Sequence, residues 1–544
     1  MSALSNPLNI LSSGAAGPGS REVLRREASN EFVFAVVGHA GSGTSVIAKT
    51  LGLLLSETTL GSEKFDIAAI RARDVIVDWA RAHDRPLPPL RPEGTRYLAD
   101  VEVLQDYGDE MRAGKDADGT PEYAAVARGL VQEIQRTRAK RTGVPYTQGK
   151  EIVPDGKPRA YILDSLRHPA EALLLRNLYG KAFVLIGVVC EESKRIARLQ
   201  DKFADCGKGN AQSFMRRDAD DDKKHGQHVA GAFHLADFFV DNTTDREKKG
   251  GPNPDWKVND ELHRLVKIIT AGLIRPSLAE TAMYHAASAQ MQSACLSRQV
   301  GAAVVDKQGN VIATGSNEAP KAGGGVYGEG ASPDPEDGRC AFFGSERFCR
   351  NTREQNRIID TLLEEIPELY AATADRKAAL RKELRKTRIG GLLEFSRAVH
   401  AEMDALLSAA RKGASLIGCR LFVTTYPCHY CARHIVAAGI DEVQYIEPYP
   451  KSQALSLHPD SIAVEATDWR PPSEGGDRVL FRPFSGVAPR LYERAFFKDR
   501  DLKNKETGNM EVQAPEWLSP WYLGRASYVE FEAKLSKDAD ERGT

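Results

Sequence analysis

The sequence predicts an α/β protein of at least two domains, with a doubly wound parallel sheet in its front half. Three observations lead to this class. The chain has 544 residues, more than one ordinary hydrophobic core accommodates. Apolar strand-like runs alternate with helical patterns between residues 31 and 273. In the back half, the β-branched run 421–425 leads through "YPCHYC" into a helix that closes at Gly439.

Composition excludes several classes of protein. The 74 basic and 75 acidic residues provide no bulk attraction for nucleic acid. No run approaches the ~20 apolar residues that cross a bilayer, so we expect no membrane partner. Residues 1–28 lack a charged start followed by an apolar block, and we expect a flexible lead rather than a signal peptide. With eight cysteines and no secretory signal, the chain is expected to be cytoplasmic and its thiols reduced.

The front half opens with a strand, a glycine-rich turn and an apolar helix, "EFVFAVVGHAGSGTSVIAKTLGLLL". Gly38, Gly41 and Gly43 leave backbone N–H groups free to surround a phosphate at a helix N-terminus. In the pattern G-x-x-x-x-G-K-[ST], Thr44 takes the place of the lysine and Ser45 follows it. The turn therefore predicts phosphate binding without the charge that assists phosphoryl transfer.

These features resemble a P-loop NTPase. The stretch "RAYILDSLRHPAEALLLRNL" resembles the second phosphate-side strand of P-loop nucleotide kinases, whose acid holds magnesium. The resemblance gives that role to Asp164, with Mg2+ accompanying a bound nucleotide; a helix N-cap is the alternative. Further strand and helix patterns at 181–199 and 213–242 complete the doubly wound domain, which we expect to span 29–277.

The back half carries a candidate metal site. "FSRAVHAEMDALLSAARKG" predicts an amphipathic helix over 395–413, with His400 and Glu402 near its start. This H-x-E is followed by P-C-x-x-C, the signature of zinc deaminases that act on nucleobases. His400, Cys428 and Cys431 supply three zinc ligands and leave a fourth position open, as a catalytic site requires. Glu402 is then the proton carrier rather than a ligand.

The cysteine pair has two alternative interpretations. Cys419 is a candidate fourth ligand that would close a structural site, although it lies a strand's length from Cys428. A thioredoxin-like redox pair explains neither the preceding proline nor the matching H-x-E. The combined motif favours catalytic zinc over both.

Residues 278 to about 450 resemble the cytidine/deoxycytidylate deaminase superfamily. Besides the two motifs, "LSRQVGAAVVDKQGNVIATGSNEAP" resembles the opening hairpin of that family. The resemblance implies that Asn317 binds the sugar, that Arg298 approaches the nucleotide, and that Ala401, within H-A-E, also contacts substrate. It implies an α/β/α domain with a sheet of about five strands, helices on both faces, and zinc between two helix N-termini.

A long insertion, 321–394, separates this chain from the small members of that family. It begins as a glycine-rich loop and continues as a helical pattern whose basic run, 376–388, is either a solvated helix face or a phosphate- or RNA-binding surface. Cys340 and Cys349 are candidates for a second metal site, although no paired spacing supports one. Lys451 is either a substrate-phosphate ligand or a plain exposed lysine.

Together the two halves resemble the bacterial anti-phage deoxycytidine-nucleotide deaminases. The resemblance implies zinc-dependent conversion of dCTP, and of dCMP in some, to the deoxyuridine nucleotide. Depletion of the dC nucleotide pool then opposes phage growth. It further implies control through a nucleotide effector at the P-loop, or through an RNA or protein inhibitor, and assembly as a homo-oligomer. We expect the deaminase domain to span 278–500, followed by an extension over 501–544.

Two other functions stay open from sequence. One is a polynucleotide deaminase acting on tRNA or single-stranded DNA, which should carry a basic groove with stacking aromatics. The other is a non-enzymatic P-loop switch whose deaminase domain is a relic. The balanced charge argues against the first, and the intact motif residues argue against the second.

Overall fold

The computed structural model describes two compact units. It covers residues 29–92, 94–115, 119–248, 250–270, 273–328, 348–449, 451–466, 468–498, 502–511, 529, 532 and 533. The first unit falls within 1–274 together with 497–544, and the second within 275–496. None of the helices in the described ranges is long and apolar enough to cross a membrane.

The first unit is built on a parallel sheet. Its strands are β1 (Glu31–Gly38), β2 (Asp66–Arg71), β3 (Arg159–Leu166), β4 (Phe183–Val189) and β5 (Phe238–Asp241). They lie in the order β5-β4-β1-β3-β2, and all neighbours are parallel. Every residue of β1 is buried, as expected for a central strand covered on both faces. The chain runs from β1 to one side of the sheet and later returns to the other, so β1 is a topological switch point.

Helices alternate with these strands, as the apolar patterning predicts. They are α1 (Thr44–Ser56), α2 (Ala72–Ala82), α3 (Leu98–Ala113), α4 (Ala125–Thr142), α5 (Pro169–Tyr179), α6 (Glu192–Lys202), α7 (Lys208–Ala219), α8 (Val229–Phe233) and α9 (Val258–Thr270). Two-residue strands pair at Thr59–Leu60 with Glu63–Lys64 and at Glu247–Lys248 with Gly251–Pro252. The front half is thus a parallel α/β unit.

The second unit contains a mixed sheet of six strands. They are β6 (Gly301–Val305), β7 (Val311–Ser316), β8 (Arg420–Thr425), β9 (Glu442–Glu447), β10 (Ile462–Ala463) and β11 (Val479–Pro483). The order is β7-β6-β8-β9-β11-β10. The predicted hairpin is confirmed, because β6 and β7 are antiparallel partners. From β8 onward the neighbours are parallel, so the carboxyl ends of β8 and β9 share one edge.

The helices in the described part of the second unit are α10 (Leu278–Gln290), α11 (Arg350–Glu365), α12 (Pro367–Tyr370), α13 (Ala374–Arg385), α14 (Ala401–Arg411), α15 (His429–Ala437), α16 (Ala454–Leu457) and α17 (Pro489–Phe496). Of these, α10 and α14 pack against the hairpin strands β6 and β7. A Cβ on Gly301 would overlap Ala286 of α10, and one on Gly315 would overlap Ala401 and Ala405 of α14. Gly315 pairs with Ala302, the neighbour of Gly301, so the two glycines point to opposite faces.

Two predicted boundaries differ from the structure. The helix expected over 395–413 begins only at Ala401, because His400 has the extended backbone of an N-cap. The strand expected to end at Asp164 continues to Leu166, and the cap of the next helix is His168, whose side chain accepts from the Ala170 N–H. The N-cap interpretation of Asp164 is therefore wrong.

The described residues after 497 belong to the first unit rather than forming a separate extension. Their anchor is Glu532, whose side chain is fully buried. Its carboxylate accepts from Arg138 Nη1 at 2.6 Å and from the Tyr179 hydroxyl at 2.6 Å. Arg138 also pairs with Glu31 of β1 at 2.8 Å. A buried charge requires such partners, which explains why this distant segment packs against the first sheet.

Candidate functional site

The predicted metal ligands come together at two helix N-termini in the second unit. His400 is the N-cap of α14, Cys428 is the N-cap of α15, and Cys431 lies in the first turn of α15. His400 Nδ1 is 3.2 Å from Cys428 Sγ and 3.4 Å from Cys431 Sγ. Among the described residues, this trio is the cluster of donor atoms close enough to hold one metal ion.

These residues fit zinc. Tetrahedral coordination at the usual Zn–N and Zn–S lengths separates the nitrogen from each sulfur by about 3.6 Å. The observed separations are slightly shorter, and both cysteines are almost fully buried, so the ligand geometry is preformed. Cys419 is not part of the group, because its thiol donates to the Ser415 carbonyl on the far side of β8. The trio therefore leaves a coordination position for water or substrate.

The electrostatics of the trio favour a metal-binding thiolate. A hydrogen bond from Cys431 lowers the pKa of Cys428 to about 4, and His400 acts in the same direction. Burial by itself lowers the pKa of His400, but the hydrogen bond and charge of Cys428 outweigh it and raise the pKa to about 9. Helix N-termini also stabilise negative charge, which suits a thiolate at the N-cap of α15.

Glu402 lies beside the trio in the first turn of α14. Its side chain is 4% exposed. Burial raises the pKa of Glu402 to about 7, and the negative charge of Cys428 contributes to the rise. A carboxyl group of this kind, next to the open metal position and shielded from bulk water, is able to hold or release a proton. Ala401, between His400 and Glu402, is completely buried.

Asn317 follows β7 and is 8% exposed. Its amide nitrogen donates to the Arg298 carbonyl at 2.7 Å, and its amide oxygen accepts from the Val300 N–H at 2.6 Å. The Ser293 hydroxyl donates to the Asn317 carbonyl at 2.8 Å. Asn317 thus fixes the loop between α10 and β6, a contact that sequence reasoning did not anticipate.

Arg298 projects from that loop toward the carboxyl edge of the sheet. Its Nη2 is 3.2 Å from Glu447 Oε1, and the other oxygen of Glu447 accepts from the Thr425 hydroxyl at 3.1 Å. Thr425 ends the strand that leads into the cysteine motif. The pKa of Tyr449 is raised by burial and by the charge of Cys428, while Arg298 opposes the rise. Arg298, Tyr449 and the cysteine trio therefore lie within electrostatic reach of one another.

Sequence analysis missed Glu447 and Tyr449. Both residues lie at or just after the end of the strand β9. They could have been predicted from that position, because the carboxyl ends of adjacent parallel strands meet at one edge of the sheet. Lys451, which was singled out, is exposed, and its neighbour Ser452 donates to the Pro427 carbonyl at 2.7 Å. The structure thus places Lys451 next to the cysteine loop.

The second metal site suggested by Cys340 and Cys349 gains no support. Cys340 lies outside the described residues. Cys349 is the N-cap of α11, and its sulfur is 3.7 Å from the Ser297 hydroxyl. In the described part of the chain, Cys349 belongs to no cluster of potential metal ligands. The basic run 376–388 is largely in α13, which has no buried residue, as expected for a solvated face.

The glycine-rich loop of the first unit lies at the carboxyl end of β1. Gly38 ends the strand, Gly41 and Gly43 have positive φ angles of 84° and 89°, and Gly43 is the N-cap of α1. Only glycine adopts such angles without strain. Thr44 is buried and Ser45 is exposed at the start of the helix. Asp164 pairs in register with Val36 on the adjacent strand, so it lies near the same edge of the sheet.

The comparisons with known proteins concern the second unit. The family model for the cytidine and deoxycytidylate deaminase zinc-binding region matches residues 276–447. The deoxycytidylate deaminase of enterobacteria phage T4 is 32% identical over 177 residues, which cover 32% of this chain and 80% of that protein. This chain belongs to the cytidine and deoxycytidylate deaminase family. It is a zinc-dependent nucleotide deaminase with an additional α/β unit in front.

A second relative matches over the same length. The deoxycytidylate deaminase of enterobacteria phage T2 is 31% identical over 177 residues, covering 32% of this chain and 82% of that protein. Among solved structures, the dCMP deaminase of cyanophage S-TIM5 in complex with dCMP and dUMP shares 19% identity at a TM-score of 0.22. That match covers 39% of this chain and 99% of the other. In this deaminase family, bound zinc supplies a Lewis acid that lowers the pKa of water toward neutrality.

Proposed function

We propose that this deaminase converts free deoxycytidine nucleotides, dCTP and dCMP, to the corresponding deoxyuridine nucleotides and ammonia. The observation that supports deamination most directly is the buried Glu402 beside the donor atoms of His400, Cys428 and Cys431. The substrate class is supported by relatives that are named deoxycytidylate deaminases. The balanced charge of the chain offers no bulk attraction for a polynucleotide, which favours a small substrate.

In this proposal, Glu402 moves the protons. Water adds to C4 of the cytosine ring, and Glu402 accepts the proton that the water loses. Glu402 passes that proton to the ring nitrogen N3. It then accepts the proton of the new C4 hydroxyl and delivers it to the departing amino group. The C4–N bond breaks, so the products are the uracil nucleotide and ammonia. The burial of Glu402 keeps these transfers away from bulk water.

In this proposal, the nucleotide lies at the carboxyl edge of the sheet, beside Glu402 and the three metal ligands. We assign the sugar to the region of Asn317 and the phosphates to Arg298 and Lys451. Arg298 is about half exposed, so part of its guanidinium remains accessible beside Glu447. Lys451 is exposed and follows β9. Ala401, whose side chain is buried in the core, contributes backbone next to Glu402.

We further propose that the first unit is a P-loop-like sensor that binds a nucleotide and does not transfer phosphate. This proposal is supported by the position of the glycine-rich loop, which follows β1 at the switch point of the parallel sheet. Proteins with such sheets commonly bind their ligands at this point. Thr44 occupies the position at which the P-loop motif has lysine, so phosphoryl transfer lacks its usual cation. Asp164 is the candidate to hold Mg2+ beside the nucleotide. Binding of a nucleotide to this loop would control how far the deaminase depletes the dC nucleotide pool during phage infection.

The central experiment measures ammonia and uracil products from dCTP, dCMP, deoxycytidine, a single-stranded oligonucleotide and tRNA. The zinc-loaded full chain should convert a mono- or triphosphate at least about tenfold more efficiently than the polymers. Glu402→Gln is the matched inactive control, since it keeps the shape of the side chain. Faster turnover of the oligonucleotide or tRNA would replace the proposed function with polynucleotide editing.

A plating assay tests the defence role. Cells that express the wild-type chain should resist phage infection and lose dCTP, and cells with Glu402→Gln should do neither. Equal protection by both would separate defence from deamination.

A further inference from the structure

The loop between β1 and α1 presents several unused hydrogen-bond donors. In the described part of the chain, the N–H groups of Gly41, Gly43, Thr44 and Ser45 donate no hydrogen bond to the protein. The Ala40 N–H, by contrast, donates to Asp218 at 2.7 Å. Four free donors around a left-handed turn form a concavity that suits anionic oxygens. These donors alone do not identify the anion.

Helices α6 and α7 cover this loop within the first unit. Ala40 is part of a small buried cluster with Leu199, Phe203, Phe214 and other side chains of these helices. A Cβ on Gly41 would overlap the carbonyl of Arg195 in α6, so helix and loop are in direct contact. The carboxyl end of α6 is Lys202, next to Phe203 of the cluster. Lys202 thus lies between Leu199 and Phe203, the two residues of this segment that belong to the same buried cluster as Ala40 of the loop.

Arg167 brings a second cation to the loop. It follows β3, and its Nη1 donates to the Gly38 carbonyl at 3.2 Å and to Asp218 at 2.7 Å. Asp218 is completely buried and therefore holds both Arg167 and the Ala40 N–H in place. Arg167 is only partly buried, so the remainder of its guanidinium faces outward. This arrangement fixes a positive charge at the end of β1.

The pKa values of two groups at this loop are lowered mainly by burial and further by nearby arginines. Loss of hydration lowers the pKa of Lys202, and Arg96, Arg167 and Arg73 lower it further while Asp164 opposes them. Burial lowers the pKa of His39, the first residue of the loop, to about 3, with Arg195 and Arg167 acting in the same direction. Lys202 lies on the surface, and among the described residues no carboxylate is within ion-pair distance of its ammonium. The cations here are thus incompletely neutralised.

We propose that Lys202 supplies from α6 the cation that position 44 lacks, and that Lys202 and Arg167 bind the outer phosphates of a nucleoside triphosphate held on the glycine loop. This inference deepens the proposed sensor role and rests on it. A monophosphate carries less charge than a triphosphate and would engage fewer of these cations. The effector class is therefore triphosphate rather than monophosphate, since a highly charged tail gains most from several cations.

The test uses calorimetric binding of ATP, AMP and inorganic tripolyphosphate to the zinc-loaded full chain in magnesium-containing buffer. Lys202→Gln should weaken ATP binding by about tenfold and AMP binding by less than about threefold. Lys202→Arg should retain ATP affinity within about threefold, because it keeps the charge. The matched control is Lys194→Gln on the same helix, since Lys194 pairs with Asp245 at 3.0 Å instead of facing the loop; it should leave all affinities unchanged.

The outcomes separate this inference from the functions on which it depends. Equal ATP affinity in Lys202→Gln and wild type would overturn the role of Lys202 while leaving the sensor intact. Failure of the wild type to bind either ATP or tripolyphosphate would overturn both the inference and the sensor. Binding of tripolyphosphate with the same dependence on Lys202, but no binding of ATP, would replace the nucleotide by a free polyphosphate. Deamination of dCTP and dCMP by the wild type, measured in parallel, reports on the second unit alone.

Discussion

Replacement of Glu532 by alanine should loosen the first unit although the residue lies near the end of the chain. The carboxylate accepts from Arg138 at 2.6 and 3.2 Å and from the Tyr179 hydroxyl at 2.6 Å, and it is fully buried. Removal of one partner of a buried ion pair costs about 3 to 5 kcal/mol, since the remaining charge stays buried. Arg138 keeps Glu31 as a partner at 2.8 Å, so we expect a somewhat smaller cost than this, about 2 to 4 kcal/mol.

Hydrogen exchange measured by mass spectrometry localises this effect. Peptides from α4, which carries Arg138, should lose protection by about 30- to 800-fold in Glu532→Ala. Peptides from α14 in the second unit serve as an internal reference and should be unchanged. Glu511→Ala is the matched variant, because Glu511 is exposed. A change in α4 below about threefold, or an equal change in both variants, would refute the proposed contribution of this ion pair.

Four further predictions concern the two sites and the pH dependence of stability. Glu402→Gln should reduce kcat by at least about 100-fold while zinc content stays near one per chain, because a proton carrier is lost and no ligand is. Cys428→Ala should lose zinc and lower the melting temperature, since ligation contributes to folding. Gly43→Val should abolish nucleotide binding to the first unit and leave the zinc content unchanged, because φ is 89° and a Cβ would overlap Asn242. Burial raises the pKa of Glu261 to about 8, so its burial destabilises the fold increasingly as pH rises from about 4.5 to 8. Glu261→Gln should therefore stabilise the protein on the order of 3 kcal/mol more at pH 8 than at pH 4.5.

Each of these has an outcome that would count against it. Undiminished turnover in Glu402→Gln would remove this residue from the mechanism, and full zinc occupancy in Cys428→Ala would remove that ligand. Retained nucleotide affinity in Gly43→Val would show that the loop is not the binding site. A stability difference between Glu261→Gln and wild type that does not change from pH 5 to pH 8 would mean that Glu261 titrates normally in the folded protein.

The chemistry of the second unit was predictable from sequence because its ligands lie close together along the chain or at motif spacing. Cys428 and Cys431 are one helical turn apart, and the H-x-E motif restricts which residues complete the group. Hydrophobic patterning likewise predicted the hairpin and the alternating strands and helices of the first unit, because alternation of apolar residues reflects local burial. Even so, the start of α14 at Ala401 depended on cap geometry that propensity does not reveal.

Only the tertiary structure decided which distant residues surround these motifs. Arg298 contacts Glu447, Asn317 contacts Arg298 in the loop before β6, and Glu532 contacts Arg138. These partners are 149, 19 and 394 residues apart in the sequence. No local pattern encodes such pairs, since they arise from strand order and from the need of buried charges for partners. The glycine-rich motif, which lacks the usual lysine, is another case in which the sequence does not show the neighbouring residues. The sequence shows Thr44 in the lysine position, whereas the packing of Leu199 in α6 against Ala40 of the loop is visible only in the structure.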